Sequence, residues 1–253
     1  MWKWIRVCLL LVILASVASA AWLNEYRISS WKESATIAIY PIIGDTSSRT
    51  SQYVKGLTAG DYTDIEQFFS DEAQRYHLSL PHPVQVRVYT GVSDVPPAPP
   101  LDERTLDVIL WSLSLRYYAW QNSHQGDGLI RVFVIFHDPK IMPAVPHSLG
   151  LKPGLIGVVH AFATPQMAGS NNVVISHEIL HALGASDRYD LRTNLPLQPQ
   201  GLGNPQQVPV YPQEYAEIMA GRRMLGPRAA ETPLSLSQCL IGTRTAQEIH
   251  WLR

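Results

Sequence analysis

NNVVISHEILHALGASDRYD, residues 171–190, decides how the rest of the chain is read. Two histidines stand four residues apart, and a glutamate directly follows the first. At 100° per residue, His177 and His181 lie about 40° apart on one face of a helix, with Glu178 beside them. The other faces carry Val173, Ile175, Ile179, Leu180, Ala182 and Leu183. A helix that is apolar nearly all round is a buried helix. Three titratable side chains therefore project together from a buried element, and leaving them unpaired costs on the order of a few kcal/mol each. A metal ion is one solution; a set of mutually satisfied core histidines is the other.

The spacing suits the metal. Zinc takes a tetrahedral set of nitrogen, sulfur or oxygen ligands, and a catalytic site leaves one position for water. Two imidazoles at i and i+4 reach one ion, while Glu178, one residue out of phase, is free to act as a general base. Gly184 lets the chain leave the helix in a left-handed conformation. Asp187, six residues after His181, brings a carboxylate to where the reversed chain swings back. The candidate ligands are thus His177, His181 and Asp187, the candidate base is Glu178, and the expected cofactor is one zinc ion, although such a ligand set accepts other divalent ions. The remaining histidines lack this context. His77, His82, His124, His147 and His250 read as surface or loop residues, and His137 and His160, in strands, as hydrogen-bonded structural histidines.

Upstream of the helix, periodicity defines a sheet layer. Residues 35–45, 83–92, 128–138 and 154–164 read as strands. The third is nearly continuous apolar and so central, and the fourth, shorter and glycine-bearing, is placed at a sheet edge. Residues 61–78 and 105–122 read as helices, and 94–103 as a proline-rich extended connection. Downstream, residues 191–213 are rich in Pro, Gln and Gly and read as a loop; residues 232–252 read as helical with a break near Gly242. The fold class is α+β: a mixed sheet with helices, the site helix, then a small irregular C-terminal lobe.

The chain has 253 residues, 46% hydrophobic and 16% charged, which suits one globular domain. With a formal charge of −1 and no Lys/Arg run, nothing points to a nucleic-acid partner, and none is expected. At the N-terminus, Lys3 and Arg6 precede an apolar run over residues 7–23, 17 residues in all, and Ala18-Ser19-Ala20 fits a cleavage site. Residues 1–20 therefore read as a signal peptide cut before Ala21, or the run to residue 23 as a membrane anchor. Either way the bulk of the chain is exported, to the periplasm or the exterior. Loss of Lys3 and Arg6 would take the formal charge from −1 to −3. Cys8 lies in the leader and Cys239 is alone in the mature chain, so no internal disulfide is expected.

The extended pattern HExxHxxGxxD, in a buried helix that follows strands, resembles the metzincin clan of zinc metalloproteases, which carry it or its histidine form ahead of a methionine turn. The aspartate form with Tyr189 and Asp190 nearby is similar to the snapalysin and immune inhibitor A-like secreted bacterial proteases. The resemblance implies an upper subdomain over about 35–184 and a lower one over about 185–253, with Met219, 32 residues beyond Asp187, as the turn methionine beneath the metal. Some metzincins place a tyrosine two residues after that methionine; here the position is Gly221, which leaves Tyr189 or Arg222 to help stabilise an oxyanion. Asp190 is either a residue that orients a ligand from behind or a plain loop residue.

The expected function is peptide-bond hydrolysis by a zinc endopeptidase, with Glu178 as base and a peptide or protein as partner. The alternative is an exported zinc protein of the same fold that cleaves nothing. An extended substrate is expected to pair with the strand at 154–164. Only about fifteen residues separate Ala21 from the first strand, and no cysteine precedes the site in that mature chain, so a thiol-blocked zymogen is not expected. Access to the site would be limited by the loop over residues 191–213.

Overall fold

Near-continuous apolar strands build the centre of the molecule, whose computed structural model describes residues 2–100, 104–123, 126–152 and 154–252. His124 lies outside them. Strands β1 (Ala35–Ile43), β2 (Val84–Val88), β3 (Ile130–His137), β4 (Leu149–Leu151) and β5 (Ile156–Phe162) form one sheet in the order β2-β1-β3-β5-β4. The first four of that order run parallel, and β4 closes the edge antiparallel to β5. The helices are α1 (Trp2–Ser30), α2 (Ser48–Gly56), α3 (Thr63–Arg75), α4 (Thr105–Gln121), α5 (Ala168–Leu183) and α6 (Thr243–Glu248). The architecture is α+β, with a mixed central sheet and several helices.

The period of two in β3 assigns each side chain to a layer. Val132, Val134 and Phe136 face the cluster that holds Val54 of α2, Phe69 of α3 and Ile175 and Ile179 of α5. Phe133 and Ile135 point to the other face, where Leu115, Tyr118 and Ala119 of α4 cover them. This double burial explains the uninterrupted apolar run read at residues 128–138.

Two expectations are corrected. The strand at 154–164 is not an edge: β5 lies between β3 and β4, with Leu149 opposite Val158 and Leu151 opposite Ile156. Past the end of β4, side chains complete the ladder. Asn171 donates Nδ2 to the Phe162 carbonyl at 2.9 Å and accepts the Phe162 N–H on Oδ1 at 3.1 Å, and Ser148 Oγ accepts the His160 N–H at 3.1 Å. A three-residue strand with glycine at its centre leaves no periodic signal, which is why β4 escaped the sequence. The helix expected over 232–252 is also mostly absent. A single 3-10 turn at Leu236–Gln238 precedes β9 (Cys239–Leu240), which pairs with β6 (Ala216–Glu217), and only α6 is helical. Pairing with β6, whose Ala216 also bridges Leu202 on its other side, overrides helical propensity there. A hairpin of β7 (Arg223–Gly226) and β8 (Ala229–Glu231) completes the lobe.

The C-terminal lobe shares the core of the sheet layer: Ile218, Met219, Ile241, Ala246, Ile249 and Trp251 belong to the same buried cluster as α3 and α5. Helix α1 runs unbroken from Trp2 to Ser30 and joins that core through Ile28; Trp31, next along the chain, donates Nε1 to the Ile249 carbonyl at 2.7 Å. Among the described residues no helix is long and apolar enough to cross a membrane.

Candidate metal centre

Helix α5 lies against β5 and β4 at close range because glycines face it. A Cβ on Gly150 would stand 2.5 Å from His181 Cβ and 2.7 Å from the Glu178 carbonyl. At its C-terminus Gly184 has φ 110°, the left-handed conformation expected of it. The Gly184 N–H bonds the His181 carbonyl at 3.0 Å and the Ala185 N–H the Leu180 carbonyl at 2.9 Å, closing the helix end. The chain then doubles back and brings Asp187 over the two histidines.

Each imidazole is oriented from behind. His177 Nδ1 donates to the Ile218 carbonyl at 3.0 Å, and His181 Nδ1 to the Ala185 carbonyl at 2.9 Å. A carbonyl only accepts, so both Nδ1 atoms carry the proton and both Nε2 atoms present a lone pair in the neutral ring. Those two Nε2 atoms converge on Asp187 Oδ1, at 3.2 and 3.1 Å. The three ligand atoms lie within 4.8 Å of one another, the group among the described residues that could hold a metal ion. Three acceptors aimed at one point require a cation or a proton between them. The electrostatics say the same. Burial disfavours charge on His177, but the bond to Asp187, the neighbouring Glu178 and the Ile218 carbonyl outweigh it and raise the imidazole to about 9. Burial also pushes the Asp187 carboxyl up, and the two imidazoles more than reverse it, holding it well below the usual carboxylate range.

Glu178 does not join the ligand group. It is 4% exposed, and its Oε2 is buried with no hydrogen-bond partner. Burial raises its pKa, with both histidines opposing. Met219, fully buried, lies in the 3-10 turn Ile218–Ala220, the turn whose Ile218 carbonyl orients His177, and its own carbonyl accepts the Arg188 N–H at 2.9 Å. His177, Glu178, Tyr189, Gly221 and Arg222 line a cavity of about 410 Å³ beside the ligands. Burial, then the charges of Asp187 and Glu178, raise the Tyr189 phenol and keep it a donor. Asp190 takes the plain loop alternative: its Oδ1 accepts the N–H groups of Arg192 and Thr193 and the Thr193 hydroxyl.

The other histidines fall as read. His77, His82, His147 and His250 are exposed. His137 Nε2 and His160 Nδ1 bond at 3.1 Å with stacked rings. Both cysteines are free, and burial pushes the Cys239 thiol up to about 12, so it offers no thiolate ligand. Sequence reasoning missed Gly150, Asn171, Glu217 and Glu248. Their partners are distant in sequence or are backbone atoms, and no local pattern marks them. No protein-family model matches the chain, and no curated protein matches it.

Proposed function

We propose that the protein is a zinc-dependent endopeptidase of the metzincin type, with His177, His181 and Asp187 as metal ligands and Glu178 as general base. The observation that carries this reading is the convergence of two Nε2 lone pairs and a carboxylate oxygen, with both Nδ1 atoms already committed to carbonyls. That donor set fits zinc. When bound, the ion supplies Lewis acidity, polarising a carbonyl and lowering the pKa of a water toward ~7.

The chain's own residues supply the rest. Glu178 takes a proton from the attacking water as the new carbon–oxygen bond forms, and delivers it to the amine nitrogen as the carbon–nitrogen bond breaks. Burial, which raises its pKa, makes it a stronger base for this task. The orphaned Oε2 is the acceptor that such a proton needs. Tyr189 and Arg222 line the same cavity and are the donors we assign to a developing oxyanion. An extended peptide adds to the sheet at β4, the edge strand that packs on α5, rather than at β5. Asn194, from the loop over residues 191–213, lines the cavity, which supports that loop as the limit on access.

The test compares wild type with Glu178→Gln on a mixed peptide library read by mass spectrometry, with bound zinc measured in both. We expect one zinc in each and cleavage lowered at least about 100-fold in the variant. One zinc in each with no cleavage by wild type would instead favour a protein that binds metal without proteolysis.

A further inference from the structure

We infer that α6 is the positioning element of the metal ligands, with Glu248 acting on Asp187 and Thr245 acting on His177. The inference rests on the metal reading of the site.

Asp187 stands on a loop that α5 holds as far as Ala185, whose N–H bonds the Leu180 carbonyl and whose carbonyl accepts His181 Nδ1. Its neighbours are fixed from α6. Glu248 Oε2 accepts the Ser186 N–H at 2.9 Å, and Glu248 Oε1 pairs with the Arg188 guanidinium at 2.5 Å. Arg188 is itself buried, and its N–H is tied to the Met219 carbonyl. One carboxylate thus grips the residues on both sides of the third ligand.

A second arm reaches His177. The Ile218 carbonyl that holds His177 Nδ1 belongs to the turn Ile218–Ala220, which Glu217 caps by accepting the Ala220 N–H on Oε2 at 2.9 Å. Glu217 is fully buried. Its Oε1 accepts the Thr245 hydroxyl at 2.6 Å and the Gly242 N–H at 3.0 Å, both from the start of α6. A Cβ on Gly242 would lie 2.8 Å from Glu217 Cγ, so the approach requires glycine. A six-residue helix has no stability of its own. Burial of Ala246, and of Ile249 and Trp251 just beyond its end, in the main core fixes it, and the two arms transmit that rigidity to the ligands. Supports of this kind, behind the ligands themselves, tune metal affinity about 10- to 100-fold.

The experiment is zinc affinity of the full-length chain by competition with a chromogenic chelator, alongside melting of the metal-free protein, for wild type, Glu248→Gln, Thr245→Val and Thr245→Ser. Positioning predicts zinc binding weaker by about 10-fold or more in Glu248→Gln and Thr245→Val, and near wild type in Thr245→Ser, which keeps the hydroxyl. A purely structural α6 would lower the melting temperature and leave zinc affinity within about 2-fold, which would overturn the inference. Thr245→Val keeps the side-chain volume, so it decides the matter alone if Glu248→Gln does not fold. Wild type that binds no zinc would instead overturn the metal reading itself.

Discussion

At the scale of single residues, the site owes its legibility to helical geometry. His177, Glu178 and His181 are fixed relative to one another by a 3.6-residue period, so their convergence can be read from order alone. Asp187 needed one further inference, the left-handed exit at Gly184, which the structure has at φ 110°. The carbonyls of Ile218 and Ala185 that hold the rings were not legible, because a backbone acceptor carries no sequence mark. The His137–His160 pair was read as structural, and it yields a pH prediction. Burial, and then the neighbouring His137, lower His160 to about 4. An unfolded histidine titrates near ~6.5, so on acidification the unfolded chain takes up the proton first. The contribution is complete above about 6.5 and is lost as pH falls toward about 4. Melting temperature should therefore drop across that window, and less so in His160→Gln; an identical drop in the variant would contradict this origin.

Among elements, the strands with long runs were legible and the short ones were not. The run at 128–138 announced a central strand, whereas β4, three residues centred on Gly150, has too little length to show a period. Its absence from the sequence reading displaced the sheet edge by one strand, and the proposed substrate-pairing surface moves with it. Similarly, helical propensity before Gly242 gave way to pairing between β9 and β6. The β4–α5 contact gives a direct prediction. Gly150→Ala places a methyl 2.5 Å from His181 Cβ and 2.7 Å from the Glu178 carbonyl, neither of them a flexible tip. It should cost about 1–3 kcal/mol in urea unfolding and weaken zinc binding. Gly184→Ala, strained by its positive φ rather than by contact with backbone, should cost about 1–3 kcal/mol as well. Unfolding free energies equal to wild type in both variants would refute the account of how α5 is seated.

Over the whole molecule, one buried cluster links the sheet, α3, α5 and the C-terminal segment, so the site is built where the sheet layer meets that segment. The α+β class and the place of the site helix within it were readable from the order of periodic segments; the joining of the lobes was not, because it depends on contacts such as Ser186 with Glu248, 62 residues apart. A ligand that binds only the folded chain stabilises it by mass action, about 2.7 kcal/mol at a free concentration 100 times Kd. Zinc should therefore raise the melting temperature of the metal-free protein, and a chelator should reverse the rise; a melting curve insensitive to both would argue against a metal centre. The most direct test is the zinc K-edge X-ray absorption spectrum of the zinc-loaded full-length chain. The account predicts one zinc per chain, two imidazole nitrogens at about 2.0–2.1 Å, oxygen ligands at about 2.0–2.2 Å and no sulfur. Failure to bind zinc, or a sulfur shell near ~2.3 Å pointing to Cys239, would contradict the assignment of His177, His181 and Asp187 as the metal ligands.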